Sequence, residues 1–315
     1  MQRKETFEEL REKMLQSAKE GIKSAYSSEE YALIQAVNAD LETEKSMNLA
    51  YERLTEWFGI YFPEVRMNNA DTLASLAHAI ATKSMTKEAI EEALKDPQRA
   101  EQIFDKAKQT IGRKMNDEEK HTVATFTKML SDMSQSMDKL ETYIKAASQR
   151  ILPNVSYLTD EKIAAELLAK AGSMERLAIM PASTVQLLGA EKALFKHLKF
   201  GSKPPKYGVL FKMPVINGAP REIRGKIARA YATKICIALK ADYYSKNFIA
   251  KKLKENLDAT IKRIKEAPIK PKPQGKFQFQ GGGPSRGHQN RPRSGPQNGP
   301  PHRGKPPGNF RKGRR

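Results

Sequence analysis

The stretch VATFTKMLSDMSQSMDKLETYIKAASQRI, residues 123–151, decides the fold. Val123, Phe126, Leu130, Met133, Met137, Leu140, Ile144, Ala147 and Ile151 follow one another at alternating spacings of three and four. That is the a and d pattern of a heptad repeat, held without an error, so the segment predicts a helix that packs along another helix. A stripe of Met and Leu at this spacing is ordinarily core. It can also pair with a second copy of the chain or with another protein.

Upstream, Ser27 followed by Glu30 has the spacing of a capping box and predicts a helix start. No Pro follows until Pro63, and only Gly59 interrupts, which predicts a helix about 50 Å long. Leu33, Val37, Met47, Tyr51, Leu54, Phe58 and Tyr61 fall near one face, interrupted by Asp40 and Glu44. These two helices predict an antiparallel coiled-coil hairpin over residues 27–150. Residues 64–114 form its tip as short helices, with Asp71 and Thr86 as caps and Asp96–Pro97 as a break. Phe7, Leu10, Met14 and Leu15 predict a short amphipathic helix within residues 1–26.

Residues 151–265 read as a compact helical domain. Asp160 caps a helix through Lys170 that ends at Ala171–Gly172. Ala182–Leu198 and Arg221–Lys240 predict two more helices, and Val209, Leu210 and Phe211 a brief strand. Pro204–Pro205 and Asn217–Gly218 punctuate the chain between them. Residues 266–315 are Pro-, Gly- and Arg-rich with no apolar periodicity, the composition of a disordered basic tail. The fold class expected is therefore all-α.

The chain of 315 residues carries a formal charge of +20. Twelve of those charges lie beyond Glu266, where there is no acid to balance them, and +8 remain on the rest. Such a surplus points to a polyanionic partner, nucleic acid ahead of an anionic membrane. No apolar run is long enough to span a membrane. Cys236 is the only cysteine, which excludes an intramolecular disulfide and a cysteine-built zinc site. It sits in an apolar run, the setting of a buried, inert thiol.

Cations cluster at Lys192, Lys196, His197, Lys199, Lys203 and Lys206, close to Phe195. A second group, Arg221, Arg224, Lys226, Arg229 and Lys234, predicts paired charges three residues apart on one helix. Cations beside exposed aromatics suit a phosphate backbone with unstacked bases. A solvated basic face is the plain alternative. The five histidines are scattered, and no phosphate-binding loop or nucleophile elbow is present, so no catalytic residue, metal or cofactor is expected.

The run MPASTVQLLGAEKALF (180–195), the run PKYGVLF (205–211), and RGKIAR (224–229) leading into ALKADY (238–243) together resemble the Nop-domain family. IQAVNA (34–39) and LTEWF (54–58), with YFPE (61–64), resemble its first coiled-coil helix. The resemblance covers about residues 30–265, and its form is that of the archaeal-type scaffold of box C/D guide ribonucleoproteins. It implies an RNA-binding scaffold that grips a kink-turn (box C/D) guide RNA together with its small, ribosomal-protein-like kink-turn-binding protein. It also implies self-association through the coiled coil and service to fibrillarin, the methyltransferase of guided RNA 2'-O-methylation.

On the same basis Gly189, Ala190, Glu191 and Lys192 are expected to touch RNA and protein together, followed by Phe195, Lys196, Lys199, Lys203 and Lys206. Arg224, Lys226 and Arg229 are the second group. Glu191 is odd against phosphate and reads equally as a helix cap or an intramolecular ion pair. Full family members carry an N-terminal fibrillarin-docking α/β domain, whereas twenty-six residues precede Ser27, so the fibrillarin-docking domain is expected to be missing. The compartment implied is the cytoplasm for an archaeal source and the nucleolus for a eukaryotic one. A spliceosome-type Nop protein binding small nuclear RNA is an alternative, although that signature carries Gln in place of Glu191. A coiled-coil interaction protein without specific RNA binding is another, against which Lys192, Lys196, Arg224 and Arg229 count. The tail, with Phe277, Phe279, Phe310 and its Arg-Gly pairs, is expected to contact RNA non-specifically.

Overall fold

The computed structural model describes residues 7–67, 69–83 and 85–268. The expectations for the basic tail beyond residue 268 lie outside the described residues. Among the described residues the fold is all-α, with no strand, and no helix is long and apolar enough to cross a membrane.

Helix α1 spans Phe7–Tyr26 and leaves Phe7 and Met14 exposed. Helix α2 spans Glu29–Phe58. Its cap is Ser28, one residue later than expected: the Ser28 hydroxyl accepts the Glu30 N–H at 3.4 Å. That shift puts Tyr31 at the box position, so no capping box closes, and the Glu30 carboxylate instead accepts the Met174 N–H from across the fold at 3.0 Å. Gly59 ends α2, so Tyr61 and Phe62 leave the helix and turn into the tip, where both are buried.

The tip holds α3 (Ala70–Lys83), α4 (Lys87–Leu94) and α5 (Pro97–Lys108). Asn69, not Asp71, accepts the free Thr72 N–H at the start of α3, at 3.1 Å. Thr86 caps α4. Asp96 both breaks the chain and caps α5, with Pro97 at the first helical position, where its missing N–H costs nothing. Helix α6 spans Asp117–Ile151 and opens with a complete capping box: Glu119 N–H to Asn116 at 2.7 Å and Asn116 N–H to Glu119 at 2.9 Å. Three first-turn acids and Arg150 in the last turn suit its macrodipole.

Helices α2 and α6 run antiparallel and are buried at both ends of their pairing. At the tip, Leu54, Phe58, Val123 and Leu130 join Leu73, Leu76 and Ile90 in one core. At the base, Leu33, Val37, Ile144 and Ala147 join a second core in the domain that follows. Between the cores only two helices face each other, so Leu41, Met47, Met133, Met137 and Leu140 are half-buried. The interruption at Asp40 also has a cause. Asp40 is buried and turned toward the domain, where Lys162 pairs with it at 3.2 Å.

The domain contains α7 (Pro153–Leu158), α8 (Glu161–Ala171), α9 (Met174–Ile179), α10 (Ala182–Leu187), α11 (Glu191–Phe200), α12 (Pro214–Asn217), α13 (Arg224–Lys240) and α14 (Ala250–Glu266). Three expectations need correction. The helix read over Ala182–Leu198 is two helices separated by a turn at residues 188–190. The strand read at Val209–Phe211 is one turn of 3-10 helix, Val209–Lys212, which packs on α8 without a pairing strand. The helix read from Arg221 starts at Arg224, so Arg221 and Arg224 do not share a helical face.

Helix α13 ends in a π-helical turn, Ala241–Ser245, that carries Asp242 under the start of α7. The buried Asp242 carboxylate accepts the Asn154 N–H at 3.1 Å, the Asn154 side-chain amide at 2.7 Å and the Val155 N–H at 3.2 Å. Asn154 in turn accepts the Ile249 N–H at 2.7 Å and so fixes the approach to α14.

Glu64 accepts the Ile111 N–H at 2.9 Å and the Thr110 hydroxyl at 2.8 Å, and the Ile111 hydrogen bond holds its carboxyl below the ordinary value. Arg113 does the same for Glu119, and Arg150 for Glu29 at the hairpin base. Because the folded values are depressed, this stability is complete above about 4.5 and is lost as pH falls through them. Glu64→Gln is expected to make melting temperature less sensitive to acid than in the parent. An unchanged slope on the acid side would remove Glu64 from the account.

Candidate nucleic-acid interface

The signature segment folds as an arm. Gln186 and Leu188 accept backbone N–H groups from Gly208 (3.0 Å) and Val209 (2.8 Å), and the Gln186 side chain donates to the Lys206 carbonyl at 2.6 Å. The chain leaving the domain is thus tied to the chain returning to it, and α11 stands between these two feet. Both feet need glycine. A Cβ on Gly189, whose φ is +89°, would meet Val209 at 2.7 Å, and one on Gly208 would meet the Leu188 carbonyl oxygen at 1.9 Å.

No side chain of α11 is buried. Lys192, Lys196 and Lys199 recur at i, i+4 and i+7 and form a cationic stripe. Leu194, Phe195 and Leu198 form an apolar stripe beside it, with Phe195 and Leu198 70% and 69% exposed. Such exposure of large apolar side chains marks a contact surface. The helix stops at Gly201, which adopts the left-handed conformation, and His197 Nδ1 meets the Ser202 carbonyl there. Lys203 is exposed on the returning loop.

At the foot of the arm, Tyr207 stacks on Phe211 with centroids 4.7 Å apart and planes 9° from parallel. The Arg224 guanidinium lies over the Phe211 ring at 5.6 Å and donates to the Ala219 carbonyl at 2.7 Å. The Lys206 stem runs over Gly225 at the start of α13. The structure therefore brings Lys206 of the first expected group to the start of α13, the helix that carries the second group. Lys226 and Arg229 are exposed on the outward face of α13, together with Thr233 and Lys240 and with no carboxylate among them.

Glu191 turns back on its own chain, and its carboxylate accepts the Gly189 N–H at 2.6 Å. Gly189 and Ala190 lie in the turn between α10 and α11, at the root of the arm. Sequence reasoning missed Tyr207, Phe211, Leu194, Leu198 and Lys240. The aromatic pair was visible as part of the run PKYGVLF, but nothing in that run shows that its rings stack. Cys236 is half-buried, donates weakly to the Met180 carbonyl at 3.5 Å, and has its thiol pKa pushed up by burial. Among the described residues no cluster of three or more His, Cys, Asp or Glu is placed to hold a metal ion.

Comparison with known proteins gives the following. Residues 40–263 match the family model described as "Nop: snoRNA binding domain, fibrillarin". An uncharacterised NOP5 family protein of Methanocaldococcus jannaschii is 35% identical over 272 residues, covering 84% of this chain and 65% of that one. Nucleolar protein 56 of Homo sapiens is 32% identical over 238 residues, covering 73% of this chain and 40% of that one. The chain thus spans about two thirds of the archaeal relative and less than half of the human one. A solved chain described as a fibrillarin/Nop5p complex is 24% identical with a TM-score of 0.45, covering 81% of this chain and 77% of that one.

Proposed function

Because this chain belongs to the Nop family, we propose that it is an RNA-binding scaffold of a box C/D guide ribonucleoprotein and does no chemistry of its own. In this reading it grips a kink-turn RNA together with the small protein already seated on that RNA, and serves guided 2'-O-methylation by fibrillarin. The observation that carries the reading is α11. Its cationic and apolar stripes lie side by side on a helix that buries nothing. A bare duplex offers phosphate to the first stripe and little to the second. A composite of RNA and protein offers phosphate and apolar surface at once.

Lys192 begins this contact, with Gly189 and Ala190 at its root and Glu191 of the same segment turned back on the Gly189 N–H. Phe195, Lys196, Lys199, Lys203 and Lys206 continue it. Arg224, Lys226 and Arg229 extend the positive surface along α13. The middle of the hairpin supports self-association, since its half-buried methionines and Leu140 gain cover from a second hairpin. Fibrillarin is a partner of the assembly in this proposal, with no docking surface assigned to it on this chain.

The test is a gel shift on a kink-turn RNA, with and without the kink-turn-binding protein, at near-physiological salt. Binding only in the presence of that protein supports the composite surface. Equal binding to the bare RNA, or to any RNA, would leave a basic RNA-coating protein with a coiled coil. Lys192→Ala and Arg229→Ala are each expected to weaken composite binding by roughly 1–3 kcal/mol. Each should also reduce the slope of affinity against salt by about one charge. A substitution that leaves both readouts unchanged removes that residue from the interface.

A further inference from the structure

Helix α11 has no core to set its direction, so its placement must come from its root. The feet fix where the arm leaves the domain, through the Val209 N–H to Leu188 and the Gly208 N–H to Gln186. They do not fix the torsion beyond Leu188, where Gly189 takes a φ of +89° and Ala190 offers no capping side chain. A glycine in that region has a wide choice of backbone conformations. The Ala190 N–H closes a turn across it on the Leu187 carbonyl at 2.9 Å, and a second interaction adds to that restraint. The Glu191 carboxylate, in the first helical turn, reaches back to the Gly189 N–H at 2.6 Å. A carboxylate there is doubly favoured, by a charge-assisted hydrogen bond and by the positive end of the helix dipole.

We infer that Glu191 is a positioning residue that holds the Gly189 hinge and so aims α11, and is not itself a contact to RNA or to a protein. The charge pattern agrees. Glu191 lies on the apolar side of the arm, away from Lys192, Lys196 and Lys199, and turning inward keeps a carboxylate out of the way of phosphate. The inference rests on the reading of α11 as the contact arm only for its consequence in binding; the hinge itself is a property of the free chain.

Glu191→Gln and Glu191→Ala separate the roles. Glutamine keeps an acceptor oxygen for the Gly189 N–H and loses the charge, whereas alanine loses both. In glycine-labelled free protein, NMR amide exchange at Gly189 is expected to stay within about threefold of the parent in Glu191→Gln and to accelerate about tenfold in Glu191→Ala. Affinity for a synthetic kink-turn RNA saturated with a kink-turn-binding protein should follow the same order, nearly kept in the first variant and reduced about tenfold in the second. If both variants lose affinity equally while Gly189 stays protected in Glu191→Gln, the charge is a direct contact and the inference is overturned. Unchanged Gly189 exchange in Glu191→Ala overturns it as well. If the parent chain fails to bind the composite, the functional reading fails, and the exchange measurement still decides what Glu191 does.

Discussion

Asp242→Ala is expected to lower unfolding free energy by about 3–5 kcal/mol, the largest stability effect of any single substitution considered. Asp242 is buried, and three donors point at it: the Asn154 and Val155 N–H groups that open α7, and the Asn154 side-chain amide. Removing the carboxylate leaves these donors away from water with no replacement, and each orphan costs about 1–3 kcal/mol. Burial pushes the Asp242 carboxyl up, and the Asn154 and Val155 hydrogen bonds oppose that shift. The damage should spread, because Asn154 also holds the Ile249 N–H and the Asn247 carbonyl ahead of α14. Urea unfolding measures the effect. A loss below about 1 kcal/mol would mean that water or a rearranged Asn154 satisfies those donors, and that the junction is not the keystone its geometry suggests.

How far the sequence could be read depended on what set each element. The α6 heptads were legible because a and d spacing is a property of the helix itself. How deeply each position is buried was not, since that depends on how many helices meet there. Val123 and Ile144 are buried where a third element arrives, whereas Met133 and Met137 have only α2 to cover them. The break between α10 and α11 was illegible for a different reason. Gly189 signals a stop, but a lone Gly costs only about 1 kcal/mol inside a helix, and Ala190, Glu191, Lys192 and Ala193 after it are good helix formers, so local propensity does not decide. The competing term is long-range: Val209 claims the Leu188 carbonyl and leaves Gly189 in a left-handed turn.

The run Val209–Phe211 misled in the opposite sense. Its residue types favour strands, but no second strand lies beside it among the described residues, and an unpaired segment closes its hydrogen bonds locally. Helix α14 carries Leu253, Leu257, Ile261 and Ile264 at helical spacing, a signal crowded by its dense lysines. For the interface, the cations were legible as a cluster. What remained hidden was that the Lys206 stem lies against the start of α13, and that Glu191 turns back on the Gly189 N–H.

Gly208→Ala is expected to detach the arm while sparing the domain. The added Cβ would lie 1.9 Å from the Leu188 carbonyl oxygen, 2.7 Å from its carbon and 2.8 Å from the Leu187 oxygen. All three are backbone atoms, so no rotamer change relieves the clash, and the two feet must separate. Three hydrogen bonds are lost with them: Val209 N–H to Leu188, Gly208 N–H to Gln186, and the Gln186 side chain to Lys206. Since α11 buries no side chain, the cores lose little, and helical content in circular dichroism should be retained with a stability loss of about 2–3 kcal/mol. Binding has no such buffer. A displaced arm can bring its cationic or its apolar stripe to a composite surface but not both in register, and affinity should fall by roughly a hundredfold. Gly201→Ala supplies the control at the far end of the same helix. Its φ of +63° is strained for alanine by about 1 kcal/mol, but the Cβ meets nothing within 4 Å and the feet stay joined. That variant should bind within about threefold of the parent. Equal losses in the two variants would place the interface at the tip of the arm, and no loss in Gly208→Ala would remove α11 from the interface, leaving the exposed face of α13 to carry the RNA.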